Sequence, residues 1–134
     1  MERARAVRRH ASARGISIHD VEVYRIGSDD EPGPLVERAS AVGAAALLVV
    51  SDAPVRTDTV AGLAALVEMA NRHCIRVALE YMAWTDPSGP LDAVAIAKET
   101  GCQVVVDVLH HVRVGADAAD LRAVAESGTL GWVQ

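Results

Sequence analysis

ALLVVSD at residues 46–52, IRVALE at 75–80, CQVVVD at 102–107 and LGWVQ at 130–134 share one pattern: an apolar run that ends on a polar residue. The polar residues are Asp52, Glu80, Asp107 and Gln134, and they stand 28, 27 and 27 residues apart. A period of that size, with room for a helix in each gap, is the signature of repeated strand–helix units. Parallel strands built this way bring their carboxyl-end residues to one rim of a barrel, where ligands collect. The pattern therefore predicts an α/β fold with parallel strands alternating with helices, and brings the carboxylates of Glu80 and Asp107 and the amide of Gln134 to one rim.

Working outward from these runs, the gaps read as helices. Pro34 opens a helix that places Leu35, Val36, Ala39 and Val42 on one face before Gly43 ends it. Thr57 or Asp58 caps a second helix with Val60, Leu63, Val67 and Ala70 as its stripe. Pro90 starts a third, with Leu91, Val94 and Ala97 inward and Gly101 as the stop, and Asp117 caps a fourth from Ala118 to Ser127. Upstream, Glu2 to Arg14 reads as a helix closed by Gly15, and ISIHDVEVYRI at 16–26 reads as a strand. CQVVVDVLHHV at 102–112 is the most strand-like run of all, predicting extended chain past Asp107.

The chain is a single domain of 134 residues, about half of what a closed eight-unit barrel takes. Five strands after an orphan helix read as the middle of a larger barrel. An open sheet of this kind has two free edges, so self-association into a homo-oligomer is an expectation on physical grounds. Thirteen Lys and Arg against 18 Asp and Glu give a net charge of −5, which builds no broad basic surface for a phosphate backbone. The basic start MERARAVRRH reads as the solvated face of a helix. No run approaches a membrane span and no apolar core marks a signal peptide. Cys74 and Cys102 lack metal or redox spacing and read as buried reduced thiols, which fits a cytoplasmic location.

Glu80 and Asp107 carry the strongest chemical signal, because each interrupts an apolar strand at its carboxyl end. A carboxylate there is costly unless it meets a cation, the bland alternative being a capping or loop-ordering acid. Oxygen ligands favour Mg²⁺ or Mn²⁺, with Zn²⁺ or Co²⁺ as further candidates. DVLHHVR places His110 and His111 just past Asp107, so one imidazole can face the pocket, and Arg113 offers a positive fork for a hydroxyl, carboxylate or phosphate. Glu22 shares the rim if its register points inward, as do Arg25 and Asp52. Trp84 either walls a polyol pocket or covers the core.

LEYMAWTDP at 79–87, DVLHHVRVG at 107–115 and GWVQ at 131–134, in that order and spacing, resemble the sugar phosphate isomerase/epimerase family of xylose isomerase-like TIM barrels, over strands three to seven. The resemblance implies that Glu80, Asp107 and Gln134 are metal ligands, with Gln134 standing where many relatives have His. It also implies that Glu80 and His110 are catalytic and that His110 and Arg113 contact a sugar, polyol or keto acid substrate, with Glu22 and Trp84 joining them as substrate contacts by their place on the rim. The implied chemistry is metal-assisted proton removal through an enediolate, Glu80 acting with a second glutamate on an eighth strand. Dehydratases of the same barrel use similar chemistry. A metal-dependent DNA-repair endonuclease would need a basic groove, and an inactive or self-associating fragment is the remaining alternative.

Overall fold

The structure, a computed structural model, describes all residues from Met1 to Gln134. Its elements in chain order are α1 (Glu2–Ser12), β1 (Asp20–Ile26), α2 (Pro32–Val42), β2 (Ala46–Ser51), α3 (Arg56–Asn71), β3 (Arg76–Glu80), α4 (Pro90–Thr100), β4 (Gln103–Val106), α5 (Val108–Arg113), α6 (Ala118–Glu126) and β5 (Leu130–Val133). The five strands form one sheet in sequential order, every neighbouring pair parallel. Helices occupy the crossovers, as parallel pairing requires.

The sheet has two unlike faces. Leu47, Val49, Val77, Leu79, Val104 and Val106 point to the helices, where they join Val36, Leu63, Leu66, Ile96 and Val124 in a core of 22 buried residues. The opposite face holds a small cluster of Leu48, Val50, Ala78 and Val105, bordered by Met82 and Trp132. Strand alternation then assigns Glu80 to the side of Ala78, and Asp107 to the side of Val105. In β1 the pairing passes from Val21 opposite Leu47 to Tyr24 opposite Val49, so Glu22 and Val23 together face Leu48. This bulge puts Glu22 and Arg25 on the small-cluster side while Val21, Tyr24 and Ile26 pack toward the helices.

Several local expectations are corrected. The chain does not stay extended to 112: it leaves β4 after Val106 and turns into α5, because the Asp107 side chain accepts the His110 backbone N–H and caps a new helix. The first strand starts at Asp20 rather than Ile16, which is exposed. α2 starts at Pro32, not Pro34. Neither Thr57 nor Asp58 caps α3, whose N-cap is Val55 without a side-chain bond. Leu91 is exposed on α4, where Ala93, Val94, Ile96 and Ala97 form the buried side. Cys102 is buried as expected, but Cys74 is exposed in the turn before β3. The Asp117 cap of α6 takes the form of a full capping box with Asp120.

Candidate metal centre

At the carboxyl end of the sheet, Glu80, Asp107 and His110 each offer a ligand atom, and these atoms all lie within 4.8 Å of one another. Glu80 ends β3 and is 4% exposed. Asp107 is held by its own capping bond, Oδ1 accepting the His110 N–H at 3.0 Å, which fixes the carboxylate. The same turn brings the His110 ring forward. Its Nδ1 is buried and has no hydrogen-bond partner. The indole of Trp84 stands edge-on to this imidazole, ring centres 5.3 Å apart, and is itself 60% exposed. Trp84 therefore borders the cluster and does not cover the core.

The electrostatics of this corner are unbalanced. Burial pushes the Glu80 carboxyl up to about 7, and the charges of Asp107 and Glu22 add to the push. Glu22 is also raised, first by burial, then by Asp20 and by Asp107. None of the four ion pairs of the protein includes Glu80, Asp107 or Glu22. Like charges gathered around a buried carboxylate are unfavourable, and a divalent ion would offset these repulsions and favour the ionised carboxylates. Two carboxylates and an unpartnered buried imidazole nitrogen fit such an ion, with Glu80, Asp107 and His110 as the groups that would hold it.

The two adjacent histidines have different surroundings. His111 is buried, and its Nε2 lies 2.9 Å from the Asp117 carbonyl oxygen, which can only accept. The ring is thus protonated at Nε2 and accepts at Nδ1, where the Tyr81 hydroxyl donates at 2.6 Å. Burial, with the charges of Asp120, Asp107 and Glu80, pushes the Tyr81 phenol up to about 12, so it keeps the proton it donates.

Of the other residues singled out by sequence, Glu22 stands on the same face and feels the charge of Asp107. Arg25 and Asp52 pair with each other at 2.8 Å, which keeps Asp52 out of the cluster. Arg113 is exposed at the end of α5. The side-chain oxygen of Gln134 accepts the Trp132 indole N–H at 2.9 Å, while its backbone pairs with Val106 and Val108. Tyr81 and the structural role of His111 escaped the sequence reading. Only the helix at 108–113, which turns neighbouring side chains by about 100°, separates the two imidazoles.

No protein-family model matches the sequence, and no curated protein does. Solved structures do match. A xylose isomerase domain-containing protein from Salmonella typhimurium LT2 superposes with a TM-score of 0.83 at 21% identity, over 97% of this chain and 53% of that one. The fold matches part of a xylose isomerase-like TIM barrel. A xylose isomerase-like TIM barrel/4-hydroxyphenylpyruvate dioxygenase fusion protein matches with a TM-score of 0.82 at 19% identity, over 98% of this chain and 24% of that one. D-psicose 3-epimerase, in the presence of D-fructose, gives 0.76 at 16% identity, over 98% and 56%. The chain spans about half of the matched chains or less, and no helix in it is long and apolar enough to cross a membrane.

Proposed function

We propose that the carboxyl-end rim serves a divalent-metal-dependent isomerisation or epimerisation of a sugar, polyol or keto acid through an enediolate. The observation that carries this reading is the convergence of the buried Glu80, the half-buried Asp107 and the unpartnered Nδ1 of His110 in one corner. The fold shared with an epimerase supports it. Glu80, Asp107 and His110 would hold the ion, Mn²⁺ or Mg²⁺ by the oxygen chemistry of the two carboxylates, and Gln134 would join them if its amide oxygen exchanged the Trp132 bond for the metal. The ion supplies charge that lowers the cost of removing a proton beside a carbonyl.

Glu80 then acts as base. It takes the proton from the carbon next to the carbonyl, and the electrons of that C–H bond pass into the enediolate. Return of the proton to the neighbouring carbon, with a hydroxyl proton shifted to the first oxygen, gives the isomer. Return to the original carbon from the opposite face gives the epimer and requires a second acid. Glu22, Trp84 and Arg113 contact the substrate, Trp84 by stacking on its C–H face.

The test is solvent exchange. With Mn²⁺ in D₂O, a ketohexose should gain deuterium at the carbon beside the carbonyl, and Glu80→Gln should stop it. Exchange that persists in Glu80→Gln, or its absence from the unaltered protein with Mn²⁺ bound, rejects the proposal. Loss of water from the substrate after exchange would identify a dehydratase instead.

A further inference from the structure

We propose that Tyr81, His111 and Asp117 form a clamp that sets the position of α5, making Tyr81 and His111 positioning residues for the Glu80, Asp107 and His110 centre. The proposal rests on the metal reading above and adds to it two residues that touch neither ion nor substrate. α5 has six residues and cannot hold its own shape by helix propensity. Its Val108, Leu109 and Val112 are 54%, 54% and 67% exposed, so they give it little purchase on the core. His111 is the one buried side chain of the helix.

That residue is tied through its backbone N–H and through both ring nitrogens. Its backbone N–H donates to the Asp107 carbonyl at 2.8 Å, its Nε2–H to the Asp117 carbonyl at 2.9 Å, and its Nδ1 accepts from Tyr81 at 2.6 Å. Tyr81 is 1% exposed and directly follows Glu80 in the chain. One buried hydrogen bond therefore joins the residue after Glu80 to the helix that begins with Asp107 and carries His110. Asp117 starts α6 through its capping box, so the far end of the clamp is fixed in a separate element. A buried network satisfied throughout holds direction in a way that an apolar contact does not. Partners of this kind tune metal affinity in other sites by orienting the ligands.

Mn²⁺ titration followed by the electron paramagnetic resonance signal of the free ion, at pH 8, compares the unaltered chain with Tyr81→Phe. The substitution keeps the buried ring and removes one oxygen. The expected result is a dissociation constant raised about tenfold with an unchanged far-ultraviolet circular dichroism spectrum. An equal dissociation constant, whether or not the melting temperature falls, overturns the clamp and leaves the metal reading intact. No Mn²⁺ binding by the unaltered chain overturns the metal reading and the clamp's role with it. If Tyr81→Phe does not fold, ¹⁵N resonances of the His111 ring in the unaltered chain decide. A fixed Nε2–H tautomer with an accepting Nδ1 is expected, and a protonated Nδ1 or exchanging tautomers overturn the clamp.

Discussion

The tips of β2 and β3 are neighbours in the sheet, both end an apolar run on an acidic residue, and they have opposite electrostatics. At the β2 tip everything is paired. Asp52 takes the Arg25 guanidinium, and Ser51 shares a 2.8 Å bond with Thr59, which donates to Asp86 at 2.9 Å. At the β3 tip Glu80 is buried, feels the charges of Asp107 and Glu22, and takes part in none of the protein's ion pairs. The same sequence signal therefore marks a place on the rim without fixing a role. The role follows from what faces the residue: a neighbouring arginine neutralises the β2 tip, and Glu80 has no such partner.

The largest effect that would sharpen this contrast comes from Glu80→Gln. Without Mn²⁺ at pH 8 the variant should melt about 3–5 °C higher, because a buried charge and its repulsions are gone. Its Mn²⁺ affinity, read by calorimetry, should fall by more than about a hundredfold, beyond what loss of an outer partner costs. A metal affinity left unchanged would erase the distinction between the tips.

Acidity offers the next test. The folded carboxyl of Glu80 at about 7 lies above its ordinary 4.5, so its contribution to metal-free stability is full below 4.5 and is lost as pH rises through 7. Mn²⁺ needs the ionised form, so its affinity should rise about tenfold per pH unit up to 7 and then level off. Calorimetric titrations between pH 5.5 and 8.5 check both the slope and the plateau. A flat profile would mean that Glu80 is not a ligand.

Asp107 separates capping from charge. Asp107→Asn keeps a good cap and should lose Mn²⁺ binding with little change in metal-free melting, whereas Asp107→Ala should cost about 1 kcal/mol more by denaturant unfolding. The smallest effect belongs to the paired tip. Asp52→Asn removes an exposed ion pair, so stability should change by less than about 1 kcal/mol and Mn²⁺ affinity not at all. A tenfold fall in affinity would make Asp52 part of the centre.

The strand–helix alternation was legible because each buried strand is a short apolar run, and the prolines and glycines that bound α2 and α4 punctuate it. What failed were places where tertiary contacts decide. VLHHV continues the β-branched and apolar character of the strand before it, and the bond between Asp107 and the His110 N–H starts α5 there. Leu91 fits a helical stripe by spacing, yet Ala93, Val94 and Ile96 complete the buried face without it. At the site, the spacing of Glu80 and Asp107 was readable, since the strand period carries both to one rim. The link from Tyr81 to His111 was not, because it joins residues 30 apart whose pairing depends on the turn at Asp107.

Thermal unfolding of the 134-residue chain at pH 8, followed by far-ultraviolet circular dichroism with and without millimolar Mn²⁺, tests the metal centre most directly. A cooperative transition that moves up is predicted, by about 2.7 kcal/mol of added stability once Mn²⁺ reaches a hundred times its dissociation constant, because an ion that binds only the folded state must stabilise it. A cooperative transition that Mn²⁺ leaves in place would contradict a metal centre at Glu80, Asp107 and His110.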